Sequence, residues 1–417
     1  MPAESGNCAN DFEKGVCVHE KTITEPLRPP PSYLIAILLV VVACRHVYVQ
    51  WAINHSLSPQ SFVLTSVPIY STALNDWLSG VDPYHTVHGA LRFVYPPVFL
   101  YVGGFLTRIV PDHIGGYLYT LVHVASTIAL PIVLARFYFR QTWLNAGFAL
   151  LIFFAEPRLT GVMALTNGNI ASVLYLLAFL AMLPGVRANR WTMFYAAVFA
   201  GAVIKAPLLL LLLFPLLTGK RQWKYCAFCA AAVVAIYAGQ KIFAPALYAG
   251  YQWSLVQQVT VIHHYGYGIL GIAAGIEYKL RGTVGTLSSI ASGIFSSILI
   301  AALFFLRRRI DDPASDRLWL SLVVLSIILA SPRILPYDAD VALFAAFVIF
   351  VNVLHTRRLI ALLVLLFLPS LVVPYFVNSP SLVGCYESLL LMLAFAGGFF
   401  TLWNQNAAPA EPNPLQG

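Results

Sequence analysis

The sequence predicts an all-α polytopic membrane protein, and three observations predict it. Only 10% of the 417 residues are charged and 59% are hydrophobic, whereas a soluble domain carries roughly a quarter charged residues. Mean hydropathy is +0.77. Apolar runs of about 20 residues, the length a helix needs to cross a ~30 Å hydrocarbon core, recur along the chain. The runs lack period-two alternation, so helices rather than a barrel would satisfy their backbone.

Taken in order, residues 1 to 32 are polar and mixed in charge, without the apolar core or cleavage site of a signal peptide, and read as a cytoplasmic tail. The first apolar run, 33 to 53, carries Arg45 twelve residues in. An ionisable group there either snorkels to the interface or serves a function. Further runs follow at 225 to 247, 283 to 306, 317 to 331, 339 to 356, 359 to 376 and 384 to 403. No linker or composition shift divides 33 to 403, which reads as one membrane domain, and 404 to 417 reads as a disordered tail.

The net charge of +8 does not point to nucleic acid, because thirteen of the 25 basic residues fall in five short connections. These hold Arg136/Arg140, Arg187/Arg190, Lys220/Arg221/Lys224, Arg307/Arg308/Arg309/Arg317 and Arg357/Arg358. That is the positive-inside pattern of a multi-pass protein of the cell membrane. The connections 54 to 93, 156 to 169, 248 to 284, 331 to 338 and 377 to 383 then lie outside. The six cysteines form no disulfide framework, and Cys226 and Cys229 fall inside an apolar run, where small residues serve helix packing.

Two places resist a simple count, which stands at about 11 to 13 membrane segments. Residues 192 to 217 join two inside loops yet number only 26, where a full hairpin needs about 40. Two half-length helices meeting at Lys205-Ala206-Pro207 satisfy this, because proline breaks the helical hydrogen-bond ladder. Between the outside loop ending near 93 and Arg136 lie two apolar stretches, 94 to 110 and 117 to 135, where parity demands an odd number. Either one of them is re-entrant or Arg136 is outside.

Elimination narrows the chemistry. Of 17 acidic residues, the outer connections retain Asp76, Asp82, Glu156, Glu277, Asp338, Asp340 and Glu387. An outer acid or base is one of these or one of His55, His85, His88, His263 and His264. Arg92, Arg158, Lys279, Arg281 and Arg333 lie beside them. Carboxylate, imidazole and guanidinium groups on one membrane face suit a reaction on a phosphate-bearing lipid, with cations holding phosphate and a carboxylate activating a hydroxyl.

Several short motifs recur in a shared order. Tyr70, then Ala73, Leu74 and Leu78, lead into Gly80-Val81-Asp82-Pro83-Tyr84 and Tyr95-Pro96-Pro97. Pro157 with Asn167-Gly168-Asn169, Val203-Ile204-Lys205-Ala206-Pro207 and Ser331-Pro332-Arg333 follow. The set resembles family-87 glycosyltransferases, GT-C enzymes related to polyprenyl-phosphate-mannose-dependent α-mannosyltransferases. The resemblance spans 33 to about 400. It implies a GT-C-type bundle with broken or re-entrant segments and an outer-face cavity. The implied reaction moves a sugar from a polyprenyl-phosphate donor to a lipid or glycan hydroxyl, with inversion and without metal or other cofactor.

The chain departs from that family at two positions. Ser66 stands where the family has the aspartate thought to act as base, and Tyr337 stands near its late-loop histidine. The base is then Asp338, Asp76 or Asp82, or the substrate differs, or activity is lost. Asp338 leads, since Pro336 stiffens its loop and Arg333 lies five residues away; it also fits a helix N-cap. Lys205, Arg333, Arg158 and Arg45 are donor-phosphate candidates. His85, His88, Arg92, Tyr95, Asn169, His263, His264 and Tyr337 are candidates for acceptor or sugar contacts. Adjacent histidines point apart on a helix, which disfavours a metal at His263-His264. Two other readings stand beside this one: an O-antigen polymerase or ligase, and a lipid or sugar transporter without transferase activity.

Overall fold

The structure, a computed structural model, describes residues 66–86, 92–138, 164–165, 167–219, 222–263, 265–354 and 380–405. Arg45, His88, Arg158 and His264, the apolar runs 33 to 53 and 359 to 376, and both proposed tails up to residue 32 and from residue 406 lie outside the described residues. Among the described residues there are thirteen α-helices and one 3-10 helix, with no strand beyond an isolated bridge between Tyr267 and Ile334. In chain order the helices are α1 (Ser66–Leu78), α2 (Pro97–Ile109), α3 (Asp112–Tyr138), α4 (Ala171–Ala188) and α5 (Thr192–Ile204). The 3-10 helix (Ala206–Leu212) and α6 (Leu213–Thr218) come next, then α7 (Trp223–Phe243), α8 (Pro245–Thr260) and α9 (Gly268–Arg281). The last four are α10 (Thr286–Arg307), α11 (Arg317–Leu329), α12 (Pro336–Val353) and α13 (Pro380–Gln405).

Five of these are long and apolar enough to cross a membrane: α3, α4, α7, α10 and α13. The count covers the described residues alone, and two of the expected runs, 33 to 53 and 359 to 376, lie outside them. The stretch 94 to 110 yields only the 13 residues of α2 and the run 317 to 331 only the 13 of α11, each about 20 Å long at 1.5 Å per residue. On α10, Ile290, Ile294 and Ile298 recur every four residues and all stay exposed. A stripe of that spacing on an apolar helix is what a lipid-facing surface requires. By contrast, α11 is buried at every position from Leu318 to Leu329 and forms the centre, with α12, α13, α3 and α6 around it. Its start is set by Asp316, whose carboxylate accepts from the Trp319 N–H at 3.0 Å.

The segment 192 to 217 is a helical hairpin broken at Lys205. α5 ends at Ile204, Lys205 is extended (φ −135°, ψ 91°), and the chain continues as the 3-10 helix and α6. Pro207 lacks the N–H that a continuous α-helix would use, so the break falls there. The two arms are of matched length, ~20 Å for α5 and about 23 Å for the 3-10 helix plus α6. They return to the end they left: the Trp191 and Phe214 rings lie 6.2 Å apart. The Tyr195 hydroxyl donates to Gln222 Oε1 at 2.8 Å, and Gln222 Nε2 donates to Asn189 Oδ1 at 3.3 Å. Cys226 and Cys229 are buried free thiols that turn toward this hairpin, reaching the carbonyls of Leu212 and Tyr195 at 3.6 and 3.7 Å. They act as the small packing residues expected.

The two apolar stretches 94 to 110 and 117 to 135 form helices of unequal length. Arg187 Nη2 donates to the Arg136 carbonyl at 3.5 Å, so α3 ends beside the end of α4. At its other end, Tyr119 of α3 and Phe99 of α2 both pack on Tyr70. α2 therefore starts at the level where Tyr119 sits, and with the first turns of α3 it makes a hairpin beyond that level. Of the two, only α3 is long and apolar enough to cross a membrane. At the basic end, the Arg309 guanidinium lies 3.6 Å above the Trp403 ring and joins the ends of α10 and α13.

Glu277, counted among the outer acids, has a structural task. Its Oε2 accepts from the Ser288 N–H at 3.1 Å in the first turn of α10, and Arg281 lies 3.7 Å away. The Gly285 backbone N–H, helped by Ser288 and Arg281 and opposed by desolvation, holds this carboxyl below its ordinary value. A depressed pKa means the unfolded chain binds more protons in that window, so the stabilisation is present above the ordinary carboxylate value and is lost as pH falls through the depressed one. Glu277→Gln is expected to lower the melting temperature in detergent at neutral pH, with the difference from wild type closing in acid. A difference that stays constant with pH would contradict the capping role.

Candidate functional site

The centre of the site is built by the hairpin tip. Lys205 is held at the break between α5 and the 3-10 helix, and its Nζ meets Asp338 Oδ1 in a salt bridge. Asp338 sits in the first turn of α12, after Pro336 at the position where a missing N–H costs nothing. Its Oδ2 accepts from the Leu335 N–H at 3.0 Å, and its Oδ1 also accepts from the Tyr175 hydroxyl at 3.0 Å. The carboxylate is 2% exposed and the lysine side chain 14%. Asp338 is thus the third residue of α12 rather than its N-cap: one oxygen reaches back to the N–H of Leu335, the capping position, and the other faces the lysine.

Aromatic rings line the pair. Lys205 Nζ lies 4.3 Å from the Tyr337 ring centroid and 5.9 Å from that of Tyr175, within the range where a cation is attracted to a ring face. Arg333 lies within electrostatic reach of Tyr337, Asp338 and Tyr95, and also of Lys205. Its loop is pinned by the Tyr267 N–H, which donates to the Ile334 carbonyl at 2.6 Å. Gly266 and Gly268 flank that contact with φ of +75° and +86°, conformations that suit glycine.

A tyrosine seam extends from this centre. The hydroxyls of Tyr70 and Tyr95 are 2.8 Å apart, and the Ile170 N–H donates to Tyr70 at 3.3 Å. Tyr119 packs edge-on against Tyr70 and donates to the Gly168 carbonyl at 2.7 Å. Tyr337 is within electrostatic reach of all three of these tyrosines. Ser66, one turn before Tyr70, donates to Asn167 Oδ1 at 2.7 Å. Ser66 therefore borders the same seam with a neutral hydroxyl. His123 is fully buried and its Nε2 donates to the carbonyls of Ala164 and Leu165 at 3.1 and 3.3 Å, anchoring the segment before α4.

Of the expected residues, Lys205, Arg333, Asp338, Tyr337 and Tyr95 come together. Others do not join them. Asp76 lies six residues after Tyr70 on α1, about 9 Å along the axis and on a different face. Asp82 makes a turn: its Oδ1 accepts from the Tyr84 N–H at 2.8 Å and its Oδ2 meets His85 Nδ1 at 2.9 Å. Asn169 Oδ1 accepts from the Ala171 N–H at 3.0 Å, a local turn just before α4. His263 is exposed, with Nδ1 2.9 Å from the Tyr265 hydroxyl.

Residues 80–86 and 92–96 are braced beside the seam. Tyr84 is fully buried and donates to the Tyr95 carbonyl at 2.9 Å, while Ser254 of α8 donates to the Phe93 carbonyl at 2.6 Å. His85 stacks on Trp253 at 4.2 Å, and the Arg92 guanidinium lies 4.6 Å from the same ring. Asp82→Ala is expected to cost about 1 kcal/mol of stability, the size of one local hydrogen-bonded turn, and to leave turnover within a few fold. A large loss of turnover would return Asp82 to the chemistry.

Sequence reasoning missed Tyr175, Trp253 and His123. Tyr175 was legible only as a polar-tipped ring in the apolar stretch of α4, six residues after the Asn167-Gly168-Asn169 motif. Among the described residues no group of three or more His, Cys, Asp or Glu side chains is placed to hold a metal ion. Two cations, one carboxylate and a row of hydroxyls are instead suited to an anionic, hydroxyl-rich ligand. Comparisons with known protein families and with curated proteins find no match for this chain.

Proposed function

We propose that this protein is a membrane glycosyltransferase that moves a mannose-like hexose or a pentose from a polyprenyl-phosphate donor to an acceptor hydroxyl of a lipid or glycan. The reaction takes place at the outer face of the cell membrane. One observation carries the reading: the hairpin tip, the 331–338 connection and the tyrosines Tyr70, Tyr95 and Tyr175, far apart in sequence, gather around two cations and one carboxylate within a largely apolar bundle. Lys205 and Arg333 bind the donor phosphate. Once the phosphate draws Lys205, Oδ1 of Asp338 is released to take the proton of the acceptor hydroxyl. The acceptor oxygen forms its bond to the anomeric carbon as the bond to the phosphate oxygen breaks, with inversion, and polyprenyl phosphate leaves. The tyrosine hydroxyls orient the sugar.

A second reading is favoured by a specific observation: a buried Lys–Asp pair at a broken helix is also how transporters place coupling charges. The two are separated by incubating purified protein with a polyprenyl-phosphate sugar labelled in the sugar, plus a membrane-lipid extract as acceptor. Transfer predicts free polyprenyl phosphate and label in a new lipid or glycan. Intact labelled carrier crossing vesicles without release would overturn the transferase reading.

A further inference from the structure

At the basic end, away from Lys205, a furrow of about 1070 Å³ runs between α5 and α7. Asn189 and Arg190 stand at its mouth, and Phe199, Phe228 and Ala232 form its deeper walls, with Met193 at the rim. Phe228 and Met193 are 76% and 68% exposed, so large apolar groups here meet whatever surrounds the bundle. From Thr192 to Phe199 and from Gln222 to Ala232 the furrow covers about 10 to 15 Å along the helices, close to half of a ~30 Å hydrocarbon core.

Charge decides what fits it. Between Glu156 and Glu277 the sequence contains no acidic residue, and Arg187, Arg190 and Lys224 all lie at this end. Arg190 is the only charged residue among those lining the furrow, and a polar, cationic mouth above an apolar trough one leaflet deep is complementary to an amphiphile with an anionic head.

We propose that this furrow binds one anionic glycerophospholipid of the surrounding leaflet, its phosphate at Arg190 and one acyl chain along Phe199, Phe228 and Ala232. The bound lipid then braces the outer side of the broken hairpin whose tip carries Lys205. This site is separate from the proposed donor site and stands whether or not the protein transfers sugar.

The test uses the full chain purified in detergent, with phosphatidylglycerol, phosphatidylcholine or inorganic phosphate added. Phosphatidylglycerol is expected to raise the melting temperature by several degrees more than phosphatidylcholine, and native mass spectrometry to retain one such lipid. Arg190→Gln should remove the preference, and Ala232→Trp, which fills the trough, should remove the bound lipid. A phosphatidylglycerol carrying a photoreactive acyl chain should label wild-type protein within 192–199 or 223–232. Equal stabilisation by both lipids, an equal shift from inorganic phosphate alone, or labelling confined to other helices would overturn the proposal. The labelling experiment needs no variant, so it decides the matter even if Ala232→Trp does not fold.

Discussion

Lys205→Met is expected to lower turnover by about 100- to 1,000-fold, the range for removing one charge-stabilising group from a reacting centre. It is also expected to destabilise the fold by about 3–5 kcal/mol, because Asp338, 2% exposed, is left as an uncompensated buried charge. Asp338→Asn should lose turnover as well. The double variant Lys205→Met with Asp338→Leu separates the two effects. Replacing both partners of a buried pair by apolar groups is often near neutral, so stability should return while turnover does not. Thermal unfolding in detergent and the transfer assay measure each half of this. A single variant with wild-type turnover would remove Lys205 from the mechanism, and a double variant as unstable as the sum of the singles would show the pair is not coupled.

Gly266→Ala should have the second large effect. Its φ of +75° already strains an L residue, and an added Cβ would sit 2.6 Å from the Ile334 carbonyl oxygen and 2.9 Å from Arg333 Cγ. The backbone strain alone costs about 1–3 kcal/mol, and the carbonyl cannot yield without loosening the Tyr267–Ile334 contact that holds the loop. Arg333 would move with it, so the KM for the donor should rise about tenfold alongside a lower melting temperature. Gly282→Ala is the control: its φ is +71°, but nothing lies within 4 Å of an added Cβ. It should show the conformational cost without the clash, and a drop equal to that of Gly266→Ala would refute the steric account.

These expectations concern contacts that were only partly legible beforehand. The Lys205 break was legible because a proline, a short apolar segment and two flanking basic loops are local features, and the helix ends where the missing hydrogen bond requires. The place of Asp338 at the start of α12 was legible for the same reason. Its pairing with Lys205, 133 residues away, was not, and neither was the separation of Asp76 and Asp82 from the centre. His85 and Arg92 looked like ligand contacts as isolated polar groups, whereas Trp253, supplied by α8, gathers both.

The apolar, helical class and the break at Lys205 follow from the sequence alone, since hydropathy and proline act over one or two helical turns. Which of three carboxylates faces the lysine is a matter of how α4, α5 and α12 pack against one another. Packing chooses partners by shape and burial across the whole bundle, and a buried charge is stable only where a distant helix brings its counter-charge to it.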